Sequence, residues 1–248
     1  AQKHHFWFVV VVTLIVVLPV IIQTPIILWR YRYRGNAVYR PHWDMSRWLD
    51  IAMWGVPVVV VIVLAVVLWR ETHQLDPYRP LDSAKQPLQV QVVGFDWKWL
   101  FIYPDDGIAT VNQLAVPVGR PVHLSLTSGT VMQSLLIPQL AGQIYAMAGM
   151  RTQLNFAADR PGVYSGLNTQ FNGAGFQHQK FSVVAMPDRE YRHWLTRRAA
   201  DGQPFDDNVL KSLMRKSVAQ RPLFFSKVPP GLFEHLMMAN MQKEEAIR

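Results

Sequence analysis

The chain has no cysteine among its 248 residues. Disulfides and thiolate metal sites are thereby excluded for these residues, and the redox state of the compartment is left open. Acidic side chains are scarce, with 17 Asp and Glu against 25 Lys and Arg and a formal net charge of +8. Charge is missing altogether from two long stretches. Residues 6–29 read FWFVVVVTLIVVLPVIIQTPIILW, and residues 51–69 read IAMWGVPVVVVIVLAVVLW. At 1.5 Å rise per residue, each run reaches across a hydrocarbon core of about 30 Å. Trp7, Trp29, Trp48, Trp54 and Trp69 stand near the ends, as an interfacial aromatic belt does. Two uncharged runs of this length are hard to bury in so small a soluble protein, so both are read as membrane-spanning helices. The first is too long for the apolar part of a signal peptide and lacks a small-residue cleavage site. Pro19, Pro25 and Pro57 lie inside the spans, where kinks are tolerated.

The charges that are present give an orientation. Between the spans stand Arg30, Arg32, Arg34, Arg40 and Arg47 against Asp44 and Asp50, whereas only Lys3 precedes the first span. The segment from Arg70 to Lys85 is mixed, with Arg70, Arg79 and Lys85 against Glu71, Asp76 and Asp82. The short basic loop is therefore expected in the cytoplasm. Both termini and everything after the second span are then extracytoplasmic, or periplasmic in a Gram-negative cell. The basic cluster flanks a membrane, so it does not point to nucleic acid.

From Pro87 to Met186 short runs rich in Val, Leu and aromatics recur between turn residues. They are LQVQVV (88–93), WKWLFIY (97–103), VNQLAVPV (111–118), PVHLSLTS (121–128), VMQSLLI (131–137), RTQLNFAA (151–158) and KFSVVAM (180–186). Such spacing predicts an antiparallel sandwich or barrel. From Asp188 onward, DREYRHWLTRRA and DNVLKSLMRKSVA carry apolar residues at three- and four-residue spacing and predict helices, with Asp188 and Asp207 as candidate caps. A Pro-Gly break at 230–231 precedes one more short helix. The expected organisation is a membrane anchor over 1–86, with linker 70–86, a β-domain over 87–187 and a helical extension over 188–248.

One loop poses a question of its own. YSGLNTQFNGAGFQHQ (164–179) follows Arg160-Pro161-Gly162 and has the outline of a tight metal-binding loop. Yet it holds no Cys, Asp or Glu, and one histidine, His178. His4, His5, His42, His73, His123, His193 and His235 show no ligand spacing either.

Two N-terminal spans, a basic inner loop, an outer β-domain and the aromatic stretch GFDWKW (94–99) together resemble subunit II of the haem–copper terminal oxidases. The resemblance covers nearly the whole chain. It implies a cupredoxin-like sandwich, which in the cytochrome c oxidase branch holds a dinuclear copper centre. Carried over position by position, that branch's ligands fall on Gln133 in VMQSLLIPQL, on Asn168, Gln170 and Asn172 in NTQFNG, and on Phe176 and Gln179 beyond it. None of the six keeps its ligand residue. Copper at a mixed-valence centre takes thiolate, imidazole and thioether donors, and amide oxygens are weak, hard substitutes. Polar Asn, Gln and Thr side chains can instead bond to the loop's own backbone.

The match is to the quinol oxidase branch, of the cytochrome bo type, through DWKWLFIYPDDGIATVNQLAVP and IPQLAGQIYAMAGMRTQL. That resemblance implies a proton-pumping ubiquinol oxidase of the bacterial inner membrane that reduces oxygen to water. Haems and a copper ion are then expected in the partner subunit I, with smaller membrane subunits as further partners and no cofactor or redox centre in this chain. Cytochrome c docking is not expected. From Arg70 to Pro187 eight basic residues (70, 79, 85, 98, 120, 151, 160, 180) balance seven acidic ones (71, 76, 82, 96, 105, 106, 159), so no acidic field is present to attract a basic carrier.

Trp97 and Trp99, two apart, are expected on one face of a strand. In copper-bearing relatives the first is where electrons enter, and without copper both read as packing or interface aromatics. Asp50 opens the second span at the cytoplasmic boundary. The resemblance implies a carboxylate there at the mouth of a proton channel whose body lies in subunit I; the residue type alone equally suits an interfacial acid or helix cap. Two other readings remain open at this point: a cytochrome c oxidase subunit with a degenerate copper site, and a membrane-anchored scaffold outside respiration.

Overall fold

The structure is a computed structural model that describes residues 2–33, 46–74, 76–81 and 83–245, with only the backbone at 2–5, 74 and 243–245. Arg34, Arg40, His42 and Asp44 of the basic loop and Asp82 of the linker lie outside the described residues, as do the side chains of Lys3, His4 and His5. The chain divides into two compact units, Ala1–Asp76 and Pro77–Arg248.

The first unit holds α1 (Gln2–Arg30) and α2 (Arg47–Gln74). Both apolar runs are helical, and the helices extend past them into flanking polar residues. Each contains a stretch long and apolar enough to cross a membrane, Phe6–Arg30 and Arg47–His73. Neither stretch is buried within the chain. A helix apolar on all sides and uncovered by its own protein offers its surface to lipid or to neighbouring helices. Pro19 and Pro25 leave α1 continuous. Thr24 Oγ1 donates to Val20 O at 2.7 Å, in the turn between the two prolines.

The second unit is a β-sandwich. Its elements are β1 (Leu88–Phe95), β2 (Lys98–Tyr103), β3 (Ile108–Val111), β4 (Gln113–Pro117), β5 (Pro121–Ser128), β6 (Gln133–Ile137), β7 (Ala141–Ala146), β8 (Thr152–Ala157), β9 (Gly162–Asn168), β10 (Lys180–Met186), α3 (Asp188–Asp201), β11 (Gln203–Pro204), α4 (Asp207–Met214), β12 (Leu223–Ser226) and α5 (Leu232–Glu245). A seven-stranded sheet runs β11-β12-β3-β2-β1-β5-β8 and a five-stranded sheet β4-β10-β9-β6-β7. The sandwich is not wholly antiparallel as expected: β1 pairs with β5, β4 with β10 and β11 with β12 in parallel. The expected strand over 111–118 breaks at Asn112, which takes φ +58°, a conformation Asn tolerates. Its side chain reaches back to accept from Trp99 N at 2.9 Å.

Two apolar layers hold the unit together. Between the sheets lie Val90, Val92, Trp99, Phe101, Leu124 and Phe181, with others. On the outer face of the seven-stranded sheet, Val93, Phe95, Leu100 and Ile102 meet Phe205, Leu213, Phe233 and Leu236 from the C-terminal extension. Strands β1 and β2 are thus covered on both faces, and β2 is buried along its whole length. That explains why WKWLFIY lacks a polar alternation.

The extension differs from the all-helical expectation. Its β11 and β12 continue the larger sheet through pairing of β12 with β3. The caps also shift. Pro187 precedes α3, whose first residue is Asp188, and Asp206 rather than Asp207 caps α4, accepting from Val209 N at 2.8 Å.

Candidate functional site

The glycine-rich segment 164–179 begins as strand. Its first residues form the end of β9, which pairs with β10 and β6. A tight loop then passes through a 3-10 turn, Phe176–His178, before Gln179 leads into β10. The loop closes at the end of the sandwich beside the hairpin joining β1 to β2. That hairpin turns on two residues, Asp96 and Trp97, because Phe95 already pairs with Lys98.

Four amide side chains converge here. Gln179 and Gln133 are fully buried and Asn168 nearly so. Gln179 Nε2 donates to Gln133 Oε1 at 2.5 Å and to Phe95 O at 3.2 Å. Gln179 Oε1 accepts from Asn168 Nδ2 at 2.9 Å and from Asn172 Nδ2 at 2.7 Å. All four hydrogen-bonding positions of Gln179 are used. Asn168 is equally saturated: Nδ2 also donates to Gln170 O at 2.8 Å, and Oδ1 accepts from Ser134 N at 2.9 Å and Gln170 N at 3.0 Å. The network fixes its own amide orientations, since flipping Gln179 would set its NH2 against the NH2 groups of both asparagines.

The chain of contacts continues outward. Gln133 Nε2 donates to Thr130 Oγ1 at 3.3 Å, and Thr130 Oγ1 donates to Asp96 Oδ1 at 3.0 Å. Asp96, 5% exposed, lies 3.9 Å from Lys216 Nζ. It also acts on Lys98, whose Nζ donates to Arg215 O and Ser217 Oγ, both at 2.7 Å. Burial pushes the Lys98 amine below its ordinary range, and Asp96 partly restores it. A polar path therefore joins the 168–179 loop to the C-terminal extension.

Glycines make room for this packing. A Cβ on Gly94 would stand 2.5 Å from Gln133 Oε1, and one on Gly175 would stand 2.2 Å from Trp97 Cδ2. Trp97 takes φ +69°, an unusual conformation for a bulky residue, and its Nε1 donates to Asn172 O at 3.4 Å.

Of the six sequence-derived positions, Gln133, Asn168, Asn172 and Gln179 are brought together through their side chains. Gln170 enters through its main chain. The Phe176 ring instead pairs with the exposed Phe171, 5.7 Å between centroids. His178 is exposed in the 3-10 turn. Trp97 and Trp99 do not share a strand face as expected, because Trp97 lies in the turn and is half-buried while Trp99 is fully buried in β2. Asp50 is half-buried in the first turn of α2. The helix begins three residues earlier and Asp50 N donates to Ser46 O at 2.9 Å, so Asp50 is not the cap. Sequence reasoning missed Asp96, Lys98 and Thr130; a buried lysine inside an aromatic run was the available signal.

The donor set does not suit copper. Among the described residues no group of three or more His, Cys, Asp or Glu side chains converges. The four amides at the loop are bonded to one another, to main chain and to Thr130, with Asn172 Oδ1 the one amide atom left buried without a partner, and none is a soft donor.

Comparison with known proteins agrees with this architecture. Residues 107–186 match the family described as cytochrome c oxidase subunit II, periplasmic domain. The cytochrome bo(3) ubiquinol oxidase subunit 2 of Pseudomonas aeruginosa is 42% identical over 90% of this chain and 68% of its own length. The ubiquinol oxidase subunit 2 of Acetobacter aceti is 42% identical over 92% of this chain and 75% of its own. The cytochrome bo(3) ubiquinol oxidase subunit 2 of Buchnera aphidicola subsp. Baizongia pistaciae is 34% identical over 98% of this chain and 86% of its own. Among solved structures, the periplasmic domain of cytochrome oxidase subunit II from Bradyrhizobium japonicum is 21% identical over 46% of this chain and 94% of that one, with a TM-score of 0.44. With two membrane-length helices, the matched periplasmic domain and identity of this extent, the chain belongs to the ubiquinol oxidase subunit 2 family of the haem–copper oxidases.

Proposed function

We propose that this chain is the copper-free second subunit of a proton-pumping ubiquinol oxidase, and that it contributes structure and a proton-uptake acid rather than a redox centre. The observation that carries the reading is the mutually bonded cluster of four amides. Gln133, Asn168, Asn172 and Gln179 stand where copper-bearing relatives place ligands, and they are bonded to each other. The resemblance implies that ubiquinol is oxidised in subunit I, where haems and copper reduce oxygen to water. This chain would anchor α1 and α2 in the inner membrane against that subunit and present the sandwich outside the cytoplasm. In this reading 1–86 anchor, 87–187 form the cupredoxin-like domain and 188–248 stiffen it from its outer face.

Asp50 is assigned to proton uptake at the cytoplasmic boundary. Its half-buried place in the first turn of α2 supports this, since a carboxylate there is in reach of water and also favoured by the helix dipole. Asp50→Asn is expected to slow turnover with assembly intact; unchanged oxidase activity and proton uptake in that variant would discard the role. The copper-free assignment is tested by metal analysis and EPR of the purified complex. A single copper per complex with no mixed-valence signal is expected. Two further coppers held by residues 130–180 would overturn the reading.

A further inference from the structure

The ten methionines of the chain are unevenly placed. Met237, Met238 and Met241 lie in the stretch LMMANMQ of α5, and Met147 and Met150 lie between β7 and β8. The fold joins these segments. Asn240 Nδ2 donates to Ser128 O at 3.2 Å, and Ser128 pairs with Ala148 in an isolated bridge. Gly149 takes φ +69°, and a Cβ there would stand 3.2 Å from Met241 Cα. The turn that Met150 N closes onto Met147 O therefore lies directly against the backbone of α5 at Met241. Met238 and Met241, three residues apart, are neighbours on one helix face, about 5–6 Å between Cβ atoms.

These side chains are not filling a core. Met150 is 54% exposed, Met238 57% and Met241 46%. Beside them Arg151 pairs with Glu234 at 2.9 Å. His235 lies three residues before Met238 on the same helix.

We infer that Met150, Met238 and Met241 form a thioether site for a soft monovalent cation, Cu(I), separate from the amide network. Thioether sulfur favours Cu(I) over harder divalent ions. It carries no titrating proton, so the site differs from a histidine site in its indifference to pH. The amide network offers the ion no soft donor; Met53, Met132 and Met214 are also exposed but lie on other elements, whereas here the fold brings Met150 beside the helix that carries Met238 and Met241.

The experiment is an anaerobic titration of the detergent-purified native assembly with Cu(I) against a chromophoric Cu(I) chelator. One equivalent beyond the metal already present is expected. Its affinity should be flat between about pH 5 and pH 7.5, the range over which an imidazole titrates. Each of Met150→Leu, Met238→Leu and Met241→Leu should weaken binding about tenfold or more, since even supporting residues of metal sites cost that much. Leucine is close in volume, so folding is retained and is checked by thermal unfolding. His235→Gln should leave binding unchanged. The inference is overturned by full Cu(I) binding in the triple leucine variant, by loss of binding in His235→Gln alone, or by no additional equivalent in the native assembly.

Discussion

Replacing Gln179 by methionine keeps the side chain's length and removes all its hydrogen bonds. Three fully buried or nearly buried groups then lose partners: Phe95 O, Gln133 Oε1 and one N–H of Asn168. Asn172 is less enclosed and can turn to water. A buried polar group left unpaired costs about 1–3 kcal/mol, so the variant should lose about 3–6 kcal/mol, allowing for some rearrangement. For a folding unit of about 150–250 residues each kcal/mol moves the midpoint by about 2–4 °C. The midpoint of thermal unfolding of the purified chain, followed by tryptophan fluorescence, should therefore fall by about 6–24 °C. Gln179→Glu should be worse than the methionine variant. It places a carboxylate oxygen against Gln133 Oε1 and Phe95 O, where two donated hydrogens were. Gln177→Met, at an exposed position of the same turn, is the control and should change nothing measurable. A Gln179→Met midpoint within about 2 °C of the parent would show that the network does not hold the loop, and the structural reading of the four amides would fail.

Gly175→Ala should expel the Trp97 ring, because the new Cβ would lie 2.2 Å from Cδ2; a red-shifted, more quenchable emission reports it, and an unchanged spectrum refutes the packing. Lys98→Met should loosen the C-terminal extension by removing the bonds to Arg215 O and Ser217 Oγ, read as faster proteolysis after residue 205. The same variant has a pH signature. With its folded value depressed below 10.5, Lys98 gives up its proton more readily in the folded chain, so its contribution to stability rises with pH through the window below 10.5 and is lost as pH falls through the folded value; the methionine variant should lack that slope. Asp106 is pushed up by burial and by Asp105, so the ion weakens the fold as pH rises past the ordinary carboxylate range; Asp106→Asn should be stabilising at neutral pH and neutral in acid.

How far the sequence discloses this protein depends on whether a feature is local. The two spans are legible because twenty or so uncharged residues have few other fates. Seven strands of the sandwich are legible from Val- and aromatic-rich runs between turns. Strand β7 (AGQIYA) is not, because it is an edge strand, largely exposed and without the usual apolar alternation. Strand β9 is hidden for a related reason: its glycines suggest a loop, yet Gly166 is there to admit the Phe181 ring, 2.1 Å from where its Cβ would be. Strand β12 (LFFS) is four residues long and acquires its role from pairing with β3, more than a hundred residues earlier. The amide positions were found as a list of missing ligands. Their mutual bonding was not legible, since it joins residues 133 and 179 through partners on three segments.

Why amides, and not leucines, fill this place follows from the backbone around it. Phe95 O, Ser134 N, and both main-chain groups of Gln170 face the interior, and each is satisfied by a network side chain. An apolar filling of equal volume would strand all four in a site with little water, at about 1–3 kcal/mol apiece. Carboxylates would satisfy Ser134 N and Gln170 N but not the carbonyls, and they would bury charge. Asn and Gln are the neutral side chains that carry two donors and two acceptors each, so they alone can close the loop without a metal and without ionisation. The main chain around residues 168–179 therefore calls for side chains that both donate and accept, and the polarity of this segment answers a requirement of its backbone.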